Sequence, residues 1–206
     1  IMGSGMGGLS AAITLARMDY RVTVIEKNAE PGGLLRGYRR AGVECPVGVH
    51  YLGSLGEGES LRRLFDFLGI TDRVPVVPMG RGGVIDRYIF DDLTFDLPVG
   101  MDAFEANLRA AFPREGAAID GIMKGLRGTA ERMHSLNFLF DPAGNLPDFE
   151  LFSSMGDIFG RLGCSPALCG VLGVSSYLMG VPVFQCPAIY YYMVLSSYLY
   201  SSWRLA

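Results

Sequence analysis

Hydrophobic positions change period several times along this chain, and each change predicts an element. Leu9, Ala12, Ile13 and Ala16 recur at helical spacing directly behind a run of glycines, and small Ala11 and Ala12 would let that helix lie close to a sheet. Asp19 stands at its end, where a left-handed terminator is needed; Asp tolerates that conformation better than most residues. Arg21-Val22-Thr23-Val24-Ile25 then reads as a short buried strand ending in Glu26. Ser60 ahead of Leu61, Leu64, Phe65 and Leu68, with Gly69 behind, predicts an amphipathic helix capped at both ends. Arg87-Tyr88-Ile89-Phe90 and Leu93-Thr94-Phe95 flank Asp91-Asp92 as in a hairpin. Asp102 with Glu105 has the form of a capping box, opening a helix through Phe104, Leu108, Ala111 and Phe112 that Pro113 stops. Ile119, Ile122, Met123, Leu126, Ala130 and Met133 form one helical stripe, with His134 at its edge or on the surface.

No charged residue lies between Arg161 and Arg204, a stretch that carries Tyr177, Phe184, Tyr190, Tyr191, Tyr192, Tyr198, Tyr200 and Trp203. Three readings fit it: membrane spans, an ordinary buried helical core, or an aromatic-walled tunnel or membrane-dipping surface that receives a lipid. Spans are the weakest, because Pro166, Pro182 and Pro187 break the run and the part after Pro187 falls short of the ~20 apolar residues a crossing needs.

Composition narrows the class. At 206 residues the chain is one domain plus part of another on a prior of roughly 150 residues per domain. Half its residues are hydrophobic, so a core can form, and 18 Lys+Arg against 21 Asp+Glu leave no basic surface for nucleic acid. Cys45, Cys164, Cys169 and Cys186 show no C-x-x-C spacing, which argues against a metal site and reads as buried thiols in a reducing compartment. Only Ile1 and Met2 precede the first glycine turn, where a strand of about five residues is usual; a piece of a longer protein is expected, with any upstream targeting segment outside it.

The glycines carry the candidate chemistry. Gly3-Ser4-Gly5-Met6-Gly7-Gly8 fits G-x-G-x-x-G and opens the first helix; Glu26 closes the next strand, where such units place their ribose-binding acid ~20 residues on. Gly3 would make the tight turn, Gly5 would let backbone approach a pyrophosphate, and Gly8 would permit close packing. The helix N-terminus would offer free N–H groups to the anion, and Glu26 would accept from ribose hydroxyls. This much does not separate FAD from NAD.

Behind Glu26 comes Lys27-Asn28-Ala29-Glu30-Pro31-Gly32-Gly33, a second glycine pair. With G-x-G-x-x-G and the acidic strand end, it resembles the N-terminus of flavoproteins of the amine oxidase and phytoene desaturase superfamily. Gly48-Val49-His50-Tyr51-Leu52-Gly53 resembles a segment of retinol saturases and carotenoid isomerase-like proteins, as do Phe95-Asp96-Leu97-Pro98-Val99-Gly100-Met101 and Phe112-Pro113-Arg114-Glu115-Gly116-Ala117-Ala118-Ile119. Leu34 takes the place of an Arg in the desaturases, and Pro46 that of a frequent Asp.

The resemblance implies an α/β fold: a Rossmann-like FAD-binding domain (residues 1–85) with an inserted, mostly helical α+β substrate domain (86–206), incomplete at both ends. It implies FAD as cofactor, held by Gly3, Ser4, Gly5, Met6, Gly7, Gly8, Glu26, Lys27, Gly32, Gly33 and Leu34. NAD(P) is left the role of a diffusible reductant or oxidant. His50 and Tyr51 are the expected catalytic pair, near the flavin or the substrate mouth, His50 because a group titrating near neutrality can shuttle a proton. The implied reaction is hydride or electron exchange between flavin and a conjugated isoprenoid, giving desaturation, saturation or isomerisation. The expected partners are that hydrophobic small molecule and a membrane surface, at a cytoplasmic or peripheral-membrane location. An amine oxidase-like enzyme and a non-catalytic lipid carrier are the rivals; the uncharged stretch disfavours the first, and the intact glycines with Glu26 disfavour the second.

Overall fold

In the computed structural model, which describes residues 1–135 and 152–206, the chain passes from its glycine turn straight into helix α1 (Met6–Arg17). Gly5 caps that helix in extended conformation with no side-chain acceptor, and Asp19 takes φ 62 beyond its end, the left-handed stop expected of it. Segment 21–25 then lies parallel to residues 1–3. Ile1 N donates to the Thr23 carbonyl at 2.8 Å, Ile25 N to Ile1 O at 2.9 Å and Gly3 N to Ile25 O at 2.7 Å.

Two expectations are corrected here. The segment is extended but not a buried strand: it forms only the isolated parallel bridge Met2–Ile25, and Ile25 is 64% exposed, because no described strand flanks its other edge. Helix α1 likewise has no buried residue; with so little sheet to lie on, its Leu9–Ile13 face borders a cavity instead.

A hairpin follows, β1 (Gly37–Arg40) against β2 (Val43–Pro46), turning through Ala41 and Gly42, both at positive φ. Then come β3 (Leu52–Gly53), helix α2 (Ser60–Leu68) and β4 (Val76–Pro78). Gly69 terminates α2 at φ 71 as the sequence predicts, but the N-cap is Glu59 and not Ser60. The Glu59 carboxylate reaches past its own helix, accepting from Gly56 N at 2.8 Å and from the Ser201 hydroxyl.

Hydrophobic burial concentrates from residue 85 onward. The predicted hairpin forms as β5 (Val84–Ile89) and β6 (Thr94–Pro98), with Tyr88 opposite Phe95. Helices α3 (Met101–Ala111) and α4 (Gly116–Ser135) pack on it, and Ile119, Ile122, Met123, Leu126 and Ala130 are buried as their stripe requires; the side chains of Met133 and His134 lie outside the described residues. The capping box at Asp102 is corrected. Gly100 is the cap, without a side-chain bond, and Asp102 and Glu105 turn to Arg127 Nη2 on α4 at 2.7 and 2.9 Å, a cation that outcompetes backbone N–H groups.

Helix α5 (Met155–Leu162), opened by a Ser154–Asp157 capping box, leads into the uncharged stretch, which resolves into α6 (Pro166–Gly173) and α7 (Ala188–Tyr200). Leu168, Leu172, Tyr191, Tyr192, Leu195 and Leu199 enter the core, each worth ~1.5–3 kcal/mol of burial. Gly125 of α4 lets α7 approach, since a Cβ there would lie 2.6 Å from the Tyr192 ring. Tyr177, Phe184 and Tyr190 stay exposed. No helix of the described residues is long and apolar enough to cross a membrane; the 13 residues of α7 rise about 20 Å, against ~30 Å of hydrocarbon.

Strand β7 (Ser202–Leu205) closes the fold as the middle of a three-stranded antiparallel sheet, order β3-β7-β4. Leu52 pairs with Trp203, and Val76 with Leu205.

Candidate functional site

The first glycine turn and the second meet. Gly3 takes φ 91, a conformation open to glycine, and sends the chain into α1; a Cβ on Gly8 would lie 2.2 Å from the Gly3 carbonyl oxygen, so helix and turn touch only because Gly8 lacks a side chain. Gly32 N donates to Ser4 O at 2.9 Å, and a Cβ on Gly33 would come within 3.0 Å of Gly5 Cα. Residues 32–33 therefore pack directly on residues 4–5.

Gly5, like Gly7, differs from Gly3 and Gly8. Its φ of −69 is ordinary, and a Cβ built on it meets nothing within 4 Å, so the fold makes no demand for glycine there. Above it the first-turn N–H groups of α1 have no side-chain cap. Open space over a bare helix N-terminus is the cradle a pyrophosphate requires, and the residues fit that group.

Glu26 sits beside this cradle. Ser4 is 2% exposed and gives it both hydrogens it owns, from N at 2.9 Å and from Oγ at 2.5 Å; Asn28 adds its N at 2.9 Å and Nδ2 at 2.8 Å. The Ser4 hydroxyl, the two backbone N–H groups and the Asn28 amide hold the carboxyl down to about 2, well below its ordinary 4.5. The acid is thus a fixed anion, as acceptance from a ribose diol requires. Sequence reasoning missed Asn28; an Asn two residues past an acid, able to fold back on it, was the available signal.

The remaining expected ligands divide. Met6 and Gly7 lie in the first turn of α1, and Met6 borders a cavity of about 860 Å³ together with Leu9, Ile13, His50 and Tyr51. Lys27 and Leu34 are exposed. Arg36, which sequence reasoning did not single out, donates from Nε to the Gly33 carbonyl at 3.0 Å and so places a guanidinium beside the glycine pair that Leu34 does not supply.

His50 and Tyr51 stand on a wall between two cavities. One is the 860 Å³ space against α1; the other, about 480 Å³, is bounded by Tyr177, Leu178, Met193 and Tyr198. The His50 and Tyr51 rings lie 6.2 Å apart, and Tyr51 meets the edge of Tyr198 at 6.0 Å. Their position is held by β3, whose Gly53 lies so close to α7 that a Cβ would sit 2.8 Å from Ser197.

Comparison with known proteins agrees with this geometry. Residues 1–68 match the family described as an NAD(P)-binding Rossmann-like domain, so this segment is a dinucleotide-binding one. Over 200 residues the chain is 29% identical to all-trans-retinol 13,14-reductase of Rattus norvegicus, covering 87% of this chain and 32% of that protein. The chain is related to the carotenoid and retinol oxidoreductases. Among these relatives are also an inactive all-trans-retinol 13,14-reductase of Danio rerio, 30% identical over 68% of this chain and 23% of its own length, and the all-trans-zeta-carotene desaturase of Myxococcus xanthus, 32% identical over 58% and 22%. The chain thus spans about a third or less of the length of these three curated relatives. The crystal structure of PF1083 protein from Pyrococcus furiosus superposes on 99% of this chain and 44% of its own with a TM-score of 0.59 at 17% identity, a likeness of fold alone.

Proposed function

We propose that the chain belongs to an FAD-dependent oxidoreductase acting on a hydrophobic polyene of the isoprenoid class. The observation that carries this reading is the second glycine pair folded onto the first, with the Glu26 anion and the open space over Gly5 beside it. Gly3, Ser4, Gly5, Met6, Gly7 and Gly8 would hold the pyrophosphate, Glu26 and Lys27 the adenosine ribose, and Gly32, Gly33 and Leu34 would run along the dinucleotide. When bound, the flavin supplies hydride or electron exchange with an allylic carbon or conjugated chain. NAD(P) would serve as a diffusible reductant or oxidant.

In this reading residues 1–85 are the cofactor domain and 86–206 part of the substrate domain, a division that the start of the continuous core at Ile85 supports. His50 and Tyr51 face both cavities, so the His50 imidazole can hold or pass a proton where cofactor and substrate meet. The apolar walls orient the polyene and exclude water. Tyr177, Phe184 and Tyr190 on the surface support a peripheral membrane contact through which such a substrate would arrive.

The test is the visible spectrum of the purified protein and of whatever heat releases from it, with Glu26→Ala beside it. A flavin spectrum, at least tenfold weaker in the variant, is the expected result. A colourless protein after expression with ample flavin would sink the FAD assignment.

A further inference from the structure

The acceptor positions of Glu26 are already filled. A carboxylate offers about four of them, two on each oxygen. The fold supplies four hydrogens: Ser4 N at 2.9 Å and Ser4 Oγ at 2.5 Å meet Oε2, while Asn28 N at 2.9 Å and Asn28 Nδ2 at 2.8 Å meet Oε1. A ribose hydroxyl that is to donate to this acid must therefore take a position from one of these donors. The four are not equally replaceable. The two backbone N–H groups are tied to the chain, and neither can leave without the turn being rebuilt. The Ser4 hydroxyl belongs to a residue only 2% exposed, so its release would strand a donor out of reach of water. Asn28 is exposed, and its carboxamide can swing outward and exchange the carboxylate for water.

We infer that Asn28 is a specificity-determining residue that holds the place of a ribose hydroxyl: its carboxamide occupies the one acceptor position of Glu26 that a ligand can take, on Oε1, and withdraws when the nucleotide binds. The inference rests on the reading of Glu26 as the ribose-holding acid and deepens it in two ways. Glu26 grips one hydroxyl of the adenosine ribose and not both, since Ser4 keeps Oε2 closed. The bond formed also replaces a bond broken, and both are hydrogen bonds to the same charged oxygen, so that hydroxyl adds less to affinity than it would at an unoccupied acid.

The experiment is equilibrium binding, by titration calorimetry, of ADP, 2′-deoxy-ADP and 3′-deoxy-ADP to the full-length protein freed of any bound nucleotide and to its Asn28→Ala variant, which keeps the backbone N–H. ADP is the half common to FAD and NAD, so the result does not depend on which of them is the cofactor. Wild type is expected to lose affinity with one deoxy analogue and to keep it with the other. Asn28→Ala is expected to bind ADP about fivefold more tightly, the worth of one modest hydrogen bond that no longer has to break. Its affinity for the discriminating deoxy analogue is expected to match that of wild type, because a ligand without that hydroxyl displaces nothing. Unchanged or weaker ADP binding by the variant overturns the inference and leaves the ribose reading of Glu26 standing; weaker binding would assign Asn28 to supporting the acid with the ligand in place. Equal losses with both deoxy analogues, or no loss with either, overturn the single-hydroxyl grip and the inference with it. Failure of wild type to bind ADP at all overturns the ribose reading itself, and this inference falls with it.

Discussion

Glu26 meets four hydrogens from two residues, and its titration follows from them. Its folded pKa is depressed, so the carboxylate supports the turn fully above its unfolded value near 4.5, and the support is lost as pH falls from there through about 2. Dinucleotide affinity is therefore expected to show no Glu26 step between pH 5 and 8, and the Glu26 carboxyl carbon resonance, followed by NMR, is expected to move only below about pH 3. A midpoint at the ordinary carboxylate value would show that Ser4 and Asn28 do not hold it. The acid itself was legible from its place after Val24-Ile25; its two partners were not, because the fold-back of Asn28 and the inward turn of Ser4 depend on how residues 3–5 and 26–28 are stacked, which spacing does not encode.

Among elements, α1 separates what the fold needs from what a ligand needs. Gly8→Ala drives a methyl into the Gly3 carbonyl at 2.2 Å and is expected to destabilise by ~1–3 kcal/mol in denaturant unfolding. Gly5→Ala meets no atom and keeps an ordinary φ, so it is expected to leave the unfolding midpoint unchanged while abolishing flavin retention. Equal loss of stability in both variants would refute the distinction. Helix periodicity and hairpin chemistry were readable at this scale: the stripe from Ile119 to Ala130 and the turn between Ile89 and Thr94 both appear as their patterns require. Caps were less readable. Asp102 and Glu105 look like a capping box until Arg127 arrives from another helix, and the N-cap position falls on Glu59, whose carboxylate makes no cap bond and instead meets the Ser201 hydroxyl from far along the chain. Local patterns predict local bonds only when no stronger distant partner competes.

For the molecule as a whole, the absence of charge over residues 162–203 gave three readings, and a buried helical core accounts for part of the stretch while other aromatics stay on the surface. Tyr191, Leu195 and Leu199 are core, while Tyr177, Phe184 and Tyr190 face outward. If those outward aromatics meet a membrane, the protein is expected to co-sediment with zwitterionic phosphatidylcholine vesicles, and Tyr177→Asp with Phe184→Asp to stay in the supernatant, the attachment resisting high salt because it is apolar. Binding that salt abolishes would point to charge instead. A glycine-rich turn at the start and an aromatic-rich, uncharged stretch near the end were visible in the sequence. The wall shared by the two cavities was not, since it depends on β3 reaching a strand that comes much later.

That strand, β7, has a kinetic consequence. Ser201 bonds the amides of Leu55 and Gly56 across 146 and 145 residues, and β7 must slot between β3 and β4 before either has a neighbour. Contacts of such long sequence separation close late and slowly. During synthesis the glycine turn and the hairpins can form as they emerge, but the segment bearing His50 and Tyr51 must wait unpaired until residues 202–205 have left the ribosome, a window in which its exposed strand edges are open to capture by a chaperone or by another nascent chain.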